Sequence, residues 1–421
     1  MTQPSHPYPE VAVIGGGAAG FFLAIHLKQA RPETRVVILE RSRRLLAKVR
    51  ISGGGRCNLT NSFASVCDLS HVYPRGHRLM SRLLRQFGPK QTCVWFESHG
   101  VPLVTQDDDC VFPRSQDSAS VTDCLLREAR SAGVEVLTQH PVRSVAPHAP
   151  GRLEVSFADG RPPQSFDKVA LTTGGAPHGE GHDWLAALGH RIEPPCPSLF
   201  TFTVREPNLT ALTGIVVEKA QVALAGTKFR ATGPLLITHW GLSGPAILKL
   251  SSYAARHLSE RGYRAPLSVC WAGEPDAGAG ADCLKKLAAG SPRRKLAALR
   301  PYGLQGRLWT YLLQRTGIAP DKPCGEAGSK SINRLAAILT ADSYTIGGRS
   351  AFREEFVTCG GVSLRSINPA TLESRHTPGL FFAGEILDID GITGGFNLQA
   401  AWTTAHTAAS AMSAGSPLCH S

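Results

Sequence analysis

Three glycines at a fixed spacing, Gly15-x-Gly17-x-x-Gly20, follow a short apolar run, Val11-Ala-Val-Ile14, and precede an apolar stretch from Phe21. The pattern predicts a buried strand, a tight turn and a helix. In such a turn the first glycine makes the bend and the second lets backbone approach a pyrophosphate. The third lets helix and strand touch. The phosphates would rest on the helix N-terminus, formed here with Ala18 and Ala19, where unpaired N–H groups and the dipole favour negative charge. A second strand is expected at Arg35-Val-Val-Ile-Leu-Glu40. Glu40, at its end, can accept hydrogen bonds from the ribose hydroxyls of an adenosine. Strand, triplet, helix, strand and acid in this register predict a dinucleotide site.

Three further glycine-rich loops extend the chemistry. In Ile51-Ser-Gly-Gly-Gly-Arg-Cys-Asn-Leu-Thr-Asn61, the N–H groups around Gly54 and Gly55 can face an anion or a polar ring. Arg56 can offset negative charge there, and the competing reading is a structural loop held by Asn58 and Asn61. Leu171-Thr-Thr-Gly-Gly175, with Thr173 and Gly174, reads as a strand end opening into glycine. The third loop follows Leu380-Phe-Phe-Ala383: Gly384-Glu385 offers a carboxylate to ribityl hydroxyls, and Gly394-Gly395-Phe396-Asn397 starts a helix. N–H groups at that start would face the pyrimidine edge of a flavin, where negative charge collects on reduction. The resident ligand expected is therefore FAD, non-covalent, in preference to NAD. Arg41 and Lys48 join the cofactor-binding candidates as cations suited to phosphate.

These loops need elements to hold them, and composition says what kind. With 421 residues, 42% hydrophobic and 19% charged, the chain is globular and too long for one simple core. The N-terminus lacks the basic and apolar regions of an export signal. No run reaches the roughly 20 apolar residues of a membrane span. Eleven scattered cysteines without a Cys-x-x-Cys pair argue against a disulfide framework or a structural metal site, and a cytoplasmic location is expected.

The net charge of +12 is clustered. Arg41, Arg43, Arg44, Lys48, Arg50 and Arg56 follow the second strand, and Arg75, Arg78, Arg82, Arg85 and Lys90 form a block without an acid. Between Cys283 and Pro320 lie Lys285, Lys286, Arg293, Arg294, Lys295, Arg300, Arg307 and Arg315, again without Asp or Glu. Such runs suit phosphate-rich partners, RNA included; the alternative is a solvated helical face.

Helices are expected over Arg78–Phe96 and Val121–Ser131, with strands at 134–137, 153–157 and 168–171. From Pro194 the texture changes to short antiparallel strands (199–204, 215–218, 221–224, 235–238), then to a basic helical stretch over 283–316. After Gly360-Gly361 it returns to strand, loop and helix. The expected fold class is α/β. A nucleotide-binding domain is built from 1–193 and 355–421, a small β-domain from 194–272 and 331–354, and a basic helical insert from 273–330.

Four motifs together resemble the BaiN/RdsA family of bacterial FAD-dependent oxidoreductases, within the glutathione-reductase-like flavoprotein superfamily. They are Gly53-Gly-Gly-Arg-Cys-Asn-Leu-Thr-Asn61, His239-Trp-Gly-Leu-Ser-Gly-Pro-Ala-Ile-Leu248, Thr358-Cys-Gly-Gly-Val362, and Phe382-Ala-Gly-Glu385 with Gly394-Gly-Phe-Asn397. The resemblance implies a discontinuous Rossmann-like FAD-binding domain of glutathione-reductase type and an inserted small β-barrel carrying a helical subdomain. It also implies reduction of carbon–carbon double bonds, on substrates as different as bile-acid-type steroids and uracil in ribosomal RNA. The chain departs from the family at Leu46-Ala47, where Pro-Gly is usual, and in a shortened Gly179–Trp184 region, which mark a divergent subgroup.

No second glycine triplet with a following strand and acid occurs, so NAD(P)H is expected as a transient co-substrate docking over the flavin. Cys57, near the flavin by resemblance, is the first candidate to donate a proton; its other reading is a small buried hydrophobe. His239 is the second candidate, its other reading being structural. The function expected is an FAD-dependent reductase that uses NAD(P)H and flavin N5 hydride transfer on an activated double bond of a small molecule. One alternative is an RNA-modifying flavoenzyme forming dihydrouridine in ribosomal RNA through the basic insert. Another is an electron-transfer or scaffold flavoprotein without its own organic substrate.

Overall fold

The computed structural model describes residues 8–176, 183–273, 276–349 and 357–414. Residues 179–182 of the shortened region fall outside them. Val11–Ile14 is apolar without alternation because strand β1 (Glu10–Ile14) is covered on both faces. It leads into helix α1 (Ala18–Ala30) and strand β2 (Arg35–Glu40). These belong to a five-stranded parallel sheet in the order Leu380–Phe382, Lys168–Leu171, β1, β2, Glu135–Thr138.

The register decides where the chemistry gathers. Ile14 lies against Leu39 and Leu171, and Leu171 lies against Phe382. Four strands thus end level, and the loops that follow them meet at one carboxyl edge, where open α/β sheets bind ligands. Behind that edge α1 packs along the long helix Phe396–Ala414, with the Phe22 and Trp402 rings 5.1 Å apart. Phe21 through Ile25 are all buried, so α1 is apolar all round rather than amphipathic.

The helix expected over Arg78–Phe96 is two helices, His77–Leu83 and Pro89–Ser98. Gly88-Pro89 separates them: Pro89 lacks an N–H and is tolerated only in the first turn of the second helix.

The chain divides into two compact units, 1–196 with 357–421, and 197–356. The second is a closed six-stranded barrel, in the order Phe202–Val204, Gly241–Ser243, Arg230–Thr238, Val216–Leu224, Ala265–Cys270, Asp342–Arg349. The basic helical stretch is not a third body. Its helices Ala277–Ala289 and Gly306–Arg315, with Ser329–Ala341, bury Leu284, Leu308, Trp309, Leu312 and Leu335 in the same core as barrel residues Phe202, Val222 and Ile237. Residues 331–341, expected in the β-domain, continue the last of these helices. The physical reason is that short amphipathic helices cannot enclose their apolar faces alone. At the junction, Asp342 is 1% exposed and accepts hydrogen bonds from Trp271 Nε1 (3.0 Å), Arg315 Nε (2.7 Å) and the Tyr344 hydroxyl (2.5 Å). Arg315 is therefore a partner of a buried carboxylate and not one of a row of free surface cations. Among the described residues no helix is long and apolar enough to cross a membrane.

Candidate functional site

The three glycines of the first turn divide their work as the spacing suggests. Gly15 has φ +114°, and a Cβ there would fall 2.5 Å from the carbonyl oxygen of Thr172. A Cβ on Gly20 would fall 2.0 Å from the Gly15 oxygen. Both positions are closed by backbone. Gly17 is different: it is the N-cap of α1, no side chain caps that helix end, and a Cβ there would meet nothing within 4 Å. The middle glycine opens onto space in front of unpaired N–H groups, the arrangement that a pyrophosphate requires. Ala18 is half-buried and Ala19 buried behind it.

Glu40 is already aimed. Its carboxylate accepts the N–H of Gly16 at 2.7 Å and that of Ser42 at 2.8 Å, which fixes it beside the phosphate turn. Leu46 N donates to Gly16 O at 2.9 Å, folding the loop that carries Arg41 back over the turn, while Arg41 itself stays exposed. Glu40→Ala should weaken FAD binding by about 1–3 kcal/mol, the scale for losing hydrogen bonds to a charged acceptor. Turnover at saturating FAD should stay near normal. Titration of apoprotein with FAD, alongside kcat, checks both parts, and a fully loaded but inactive variant would contradict the assignment.

The next loops join the same edge. Lys48 Nζ lies 2.7 Å from Glu385 Oε2, and Glu385 Oε1 accepts the N–H of Thr358 at 2.7 Å. A Cβ on Gly174 would approach the same carboxylate at 3.8 Å, and Thr173 Cα lies 3.0 Å from where a Gly15 Cβ would be. Gly384 faces Ala19, whose Cβ would be 2.9 Å from a Cβ at 384. The structure thus brings Gly15–Gly20, Glu40, Lys48, Thr173–Gly174 and Gly384–Glu385 together.

A second group forms around the start of the long helix. Asn61 Nδ2 donates to Gly394 O at 3.1 Å, while Asn58 places its oxygen 3.3 Å from Gly395 N. Asn397 holds both backbone atoms of Gly391, at 2.8 and 2.9 Å. Phe396 is buried, its carbonyl accepting from the Tyr73 hydroxyl at 2.8 Å. Gln399 N to Gly395 O (3.0 Å) is the first-turn bond of the helix, so the N–H groups of Phe396, Asn397 and Leu398 have no carbonyl partner within the helix. The facing Ser52–Gly55 turn has positive φ at Gly53, Gly54 and Gly55, with open space at the last two. Arg56 braces this turn: it donates to Gly53 O and Gln116 Oε1, both at 3.2 Å, and stacks over Phe112. The two asparagines tie the far end of this loop to Gly394 and Gly395, while its Ser52–Gly55 turn stays open at Gly54 and Gly55.

The two proton-donor candidates fall in different places. Cys57 follows this turn with φ +63°, is fully buried, and burial pushes its thiol up to about 12. Those surroundings suit a small packed side chain. His239 is exposed in the turn between Arg230–Thr238 and Gly241–Ser243 of the barrel unit, its ring edge-on to Trp240 at 4.3 Å.

Sequence reasoning missed Thr172, whose hydroxyl donates to Ile14 O and Gly15 O and locks the turn. It also missed the ion pair of Arg75 with Asp390. Asp390 stood in plain view inside the Leu380–Gln399 loop, but Arg75 was one cation in a basic block.

Residues 9–411 match the family model described as HI0933-like protein Rossmann domain. The chain belongs to the HI0933-like family. A relative in it is the 3-dehydro-bile acid delta(4,6)-reductase of Clostridium scindens, 31% identical over 94% of this chain and 97% of that protein. Another is the ribosomal RNA dihydrouridine synthase of Escherichia coli, 29% identical over 94% of this chain and 96% of that protein. Among solved structures, the 3-ketosteroid delta1-dehydrogenase of Sterolibacterium denitrificans matches with a TM-score of 0.51 at 13% identity, covering 97% of this chain and 100% of that one. That likeness is one of fold. HI0933-like membership accounts for a Rossmann-type sheet assembled from both ends of the chain.

Proposed function

We propose that this HI0933-like protein is an FAD-dependent reductase of activated carbon–carbon double bonds, with NAD(P)H as a transient electron donor. The observation that carries the reading is the open, uncapped α1 N-terminus at Gly17, with Glu40 fixed beside it and the Gly394–Asn397 helix start in the same unit. FAD would be held non-covalently by Gly15–Gly20, Glu40, Arg41, Lys48, Gly54–Arg56, Thr173–Gly174, Gly384–Glu385 and Gly394–Asn397. When bound, it supplies the hydride chemistry that protein side chains lack.

The chain's own residues do the rest. Backbone N–H groups at two helix starts stabilise negative charge, one toward phosphate and one toward the ring. Lys48, paired with Glu385 at 2.7 Å, fixes that carboxylate together with the Thr358 N–H, and Glu385 would accept from a sugar alcohol there. The activities for which the two relatives are named, a delta(4,6)-reductase and a dihydrouridine synthase, support a double bond as the group reduced. A cytoplasmic setting is part of this reading. The test is direct: purified protein should be yellow, should be reduced anaerobically by NADH or NADPH, and should then transfer hydride to a conjugated ketone such as a 3-dehydro-bile acid. A colourless protein that fails to take up FAD refutes the reading. Rapid reduction without turnover of any unsaturated acceptor points instead to an electron carrier.

A second reading, uracil in ribosomal RNA as the substrate, is favoured by the basic helical stretch. Lys286, Arg293 and Lys295 are exposed and make no ion pair among the described residues. The rest of the run is partly committed: Lys285 to Asp282 at 3.4 Å, Arg300 to Ala297 O and Arg307 to Ala211 O. If this face meets RNA phosphates, log binding should fall with log salt by about 0.7 per contact on single strands. Neutralising Arg293, Arg294 and Lys295 together should flatten that slope by about two units while FAD content stays intact. Dihydrouridine at parental level in ribosomal RNA of a deletion strain, with salt-insensitive binding, would leave the small-molecule reading standing alone.

A further inference from the structure

The long helix Phe396–Ala414 is apolar over most of its surface, yet Gln399, Thr403 and Thr404 are buried in it without exposure. A buried hydroxyl or amide is tolerated where it finds partners, and these side chains find theirs on two separate segments. Thr60 Oγ1 donates to Gln399 Oε1 at 2.5 Å, Gln399 Nε2 donates to Thr403 Oγ1 at 2.9 Å, and Trp402 Nε1 donates to Leu59 O at 2.9 Å. That face of the helix grips Leu59–Thr60, a few residues beyond the Ser52–Gly55 turn.

Thr404 faces elsewhere. It lies five positions beyond Gln399, about 140° around an ideal helix. Its hydroxyl directs its one proton at carbonyls of its own helix, Ala400 O at 2.6 Å and Ala401 O at 3.3 Å. The oxygen is left to accept, and it accepts the N–H of Gly384 at 2.9 Å. Gly384 begins the turn that carries Glu385. It is buried, holds φ +78°, and a Cβ there would lie 2.9 Å from Ala19 Cβ in the first turn of α1. The neighbouring N–H, of Ala383, goes to Leu171 O, and the Gly384 carbonyl accepts from Leu387 N. Those bonds join the turn to the sheet and to itself. The Thr404 hydroxyl joins it to the helix.

We propose that Thr404 is a positioning residue for the flavin. It holds the Gly384–Glu385 turn in fixed register against the helix that starts at Gly394–Asn397. The carboxylate meant for the ribityl chain and the N–H groups meant for the ring are then carried on one rigid element. The proposal rests on the FAD reading above. Thr404 itself touches no cofactor; it acts through the Gly384 N–H and, one residue on, through Glu385. In Thr404→Val the side chain keeps its shape but cannot accept, and a buried N–H loses its partner. The turn must shift to satisfy that group, and Glu385 shifts with it. Gly17 and Glu40, at the adenosine half, are not reached by this bond.

The experiment is calorimetric titration of apoprotein with FAD and, separately, with ADP. The proteins are wild type, Thr404→Val, Thr404→Ser, Glu385→Ala and the double variant Thr404→Val/Glu385→Ala. ADP carries the adenosine and the pyrophosphate but neither the ribityl chain nor the ring, so it reports the half of the site that Thr404 does not position. Thr404→Val should weaken FAD by about tenfold or more and ADP by less than about threefold, the first being the scale of one unsatisfied buried donor. Thr404→Ser keeps the acceptor and should bind both ligands as wild type does. With Glu385 already alanine, Thr404→Val should add less than about threefold to the loss of FAD affinity, because residues that act through one another are not additive. If Thr404→Val does not fold, Thr404→Ala takes its place in the same comparison. Equal losses of FAD and ADP, a serine variant as weak as the valine one, or full additivity with Glu385→Ala would mean that the hydroxyl serves the fold alone. Any of these, or wild-type FAD affinity in Thr404→Val, overturns the proposal and leaves the FAD assignment intact. A wild-type apoprotein that binds no FAD overturns both.

Discussion

Gly17→Val is expected to give a folded, colourless protein. The backbone at Gly17 is extended (φ −96°, ψ −168°), a conformation a β-branched residue adopts readily, and its Cβ would meet no atom within 4 Å. The fold should therefore lose about 1 kcal/mol at most, from a poorer helix N-cap. The added methyls would occupy the space in front of the α1 N–H groups, where a pyrophosphate must come close. FAD affinity should drop at least about tenfold, and retention through purification should fail. Gly20→Val is the contrasting control: its Cβ would lie 2.0 Å from the Gly15 oxygen, so the fold itself should fail. Absorbance near the flavin bands, with thermal melts of apoprotein, separates the two. A Gly17→Val protein with wild-type flavin content would sink the assignment of this turn.

The second large effect belongs to the barrel unit. Asp342→Ala removes the acceptor shared by Trp271, Arg315 and Tyr344, stranding a buried indole N–H and a guanidinium that is 26% exposed. Breaking a buried charged pair by deleting one partner costs about 3–5 kcal/mol because the other charge is left uncompensated. Denaturant unfolding should show a loss of that size, and helix Gly306–Arg315 should lose hydrogen-exchange protection first. A variant within about 1 kcal/mol of wild type would mean that Arg315 reaches Glu206, 3.8 Å away, as a sufficient substitute.

Residues 11–40 were legible in the sequence because their signals are local. An apolar run without alternation, a glycine at each point of close approach and an acid at a strand end interact within about thirty residues, and chain connectivity brings them together. The same holds for the helix start at Gly394–Asn397 and the inserted β-rich region. Other features depend on partners that the intervening chain does not predict. Lys48 meets Glu385 across 337 positions, Asn61 meets Gly394 across 333, and Arg75 meets Asp390 across 315.

The order and register of the parallel sheet, which set four strand ends level, decide the first of those meetings; the other two depend on how the chain around Thr60–Asn61 and Arg75 packs at the start of the long helix. Burial is likewise a tertiary quantity. Cys57 reads equally as acid or packing atom until its neighbours close around it, and Arg315 reads as a surface cation until Asp342 is placed beside it. The helical stretch reads as a separate insert because amphipathic periodicity shows that a face must be buried but not against what. Sequence by itself placed the glycines whose geometry closes the first turn at Gly15 and Gly20 and leaves it open at Gly17. The tertiary structure decided which charges pair and which remain free, because long-range pairing follows from the packing of whole elements and leaves no local periodic trace.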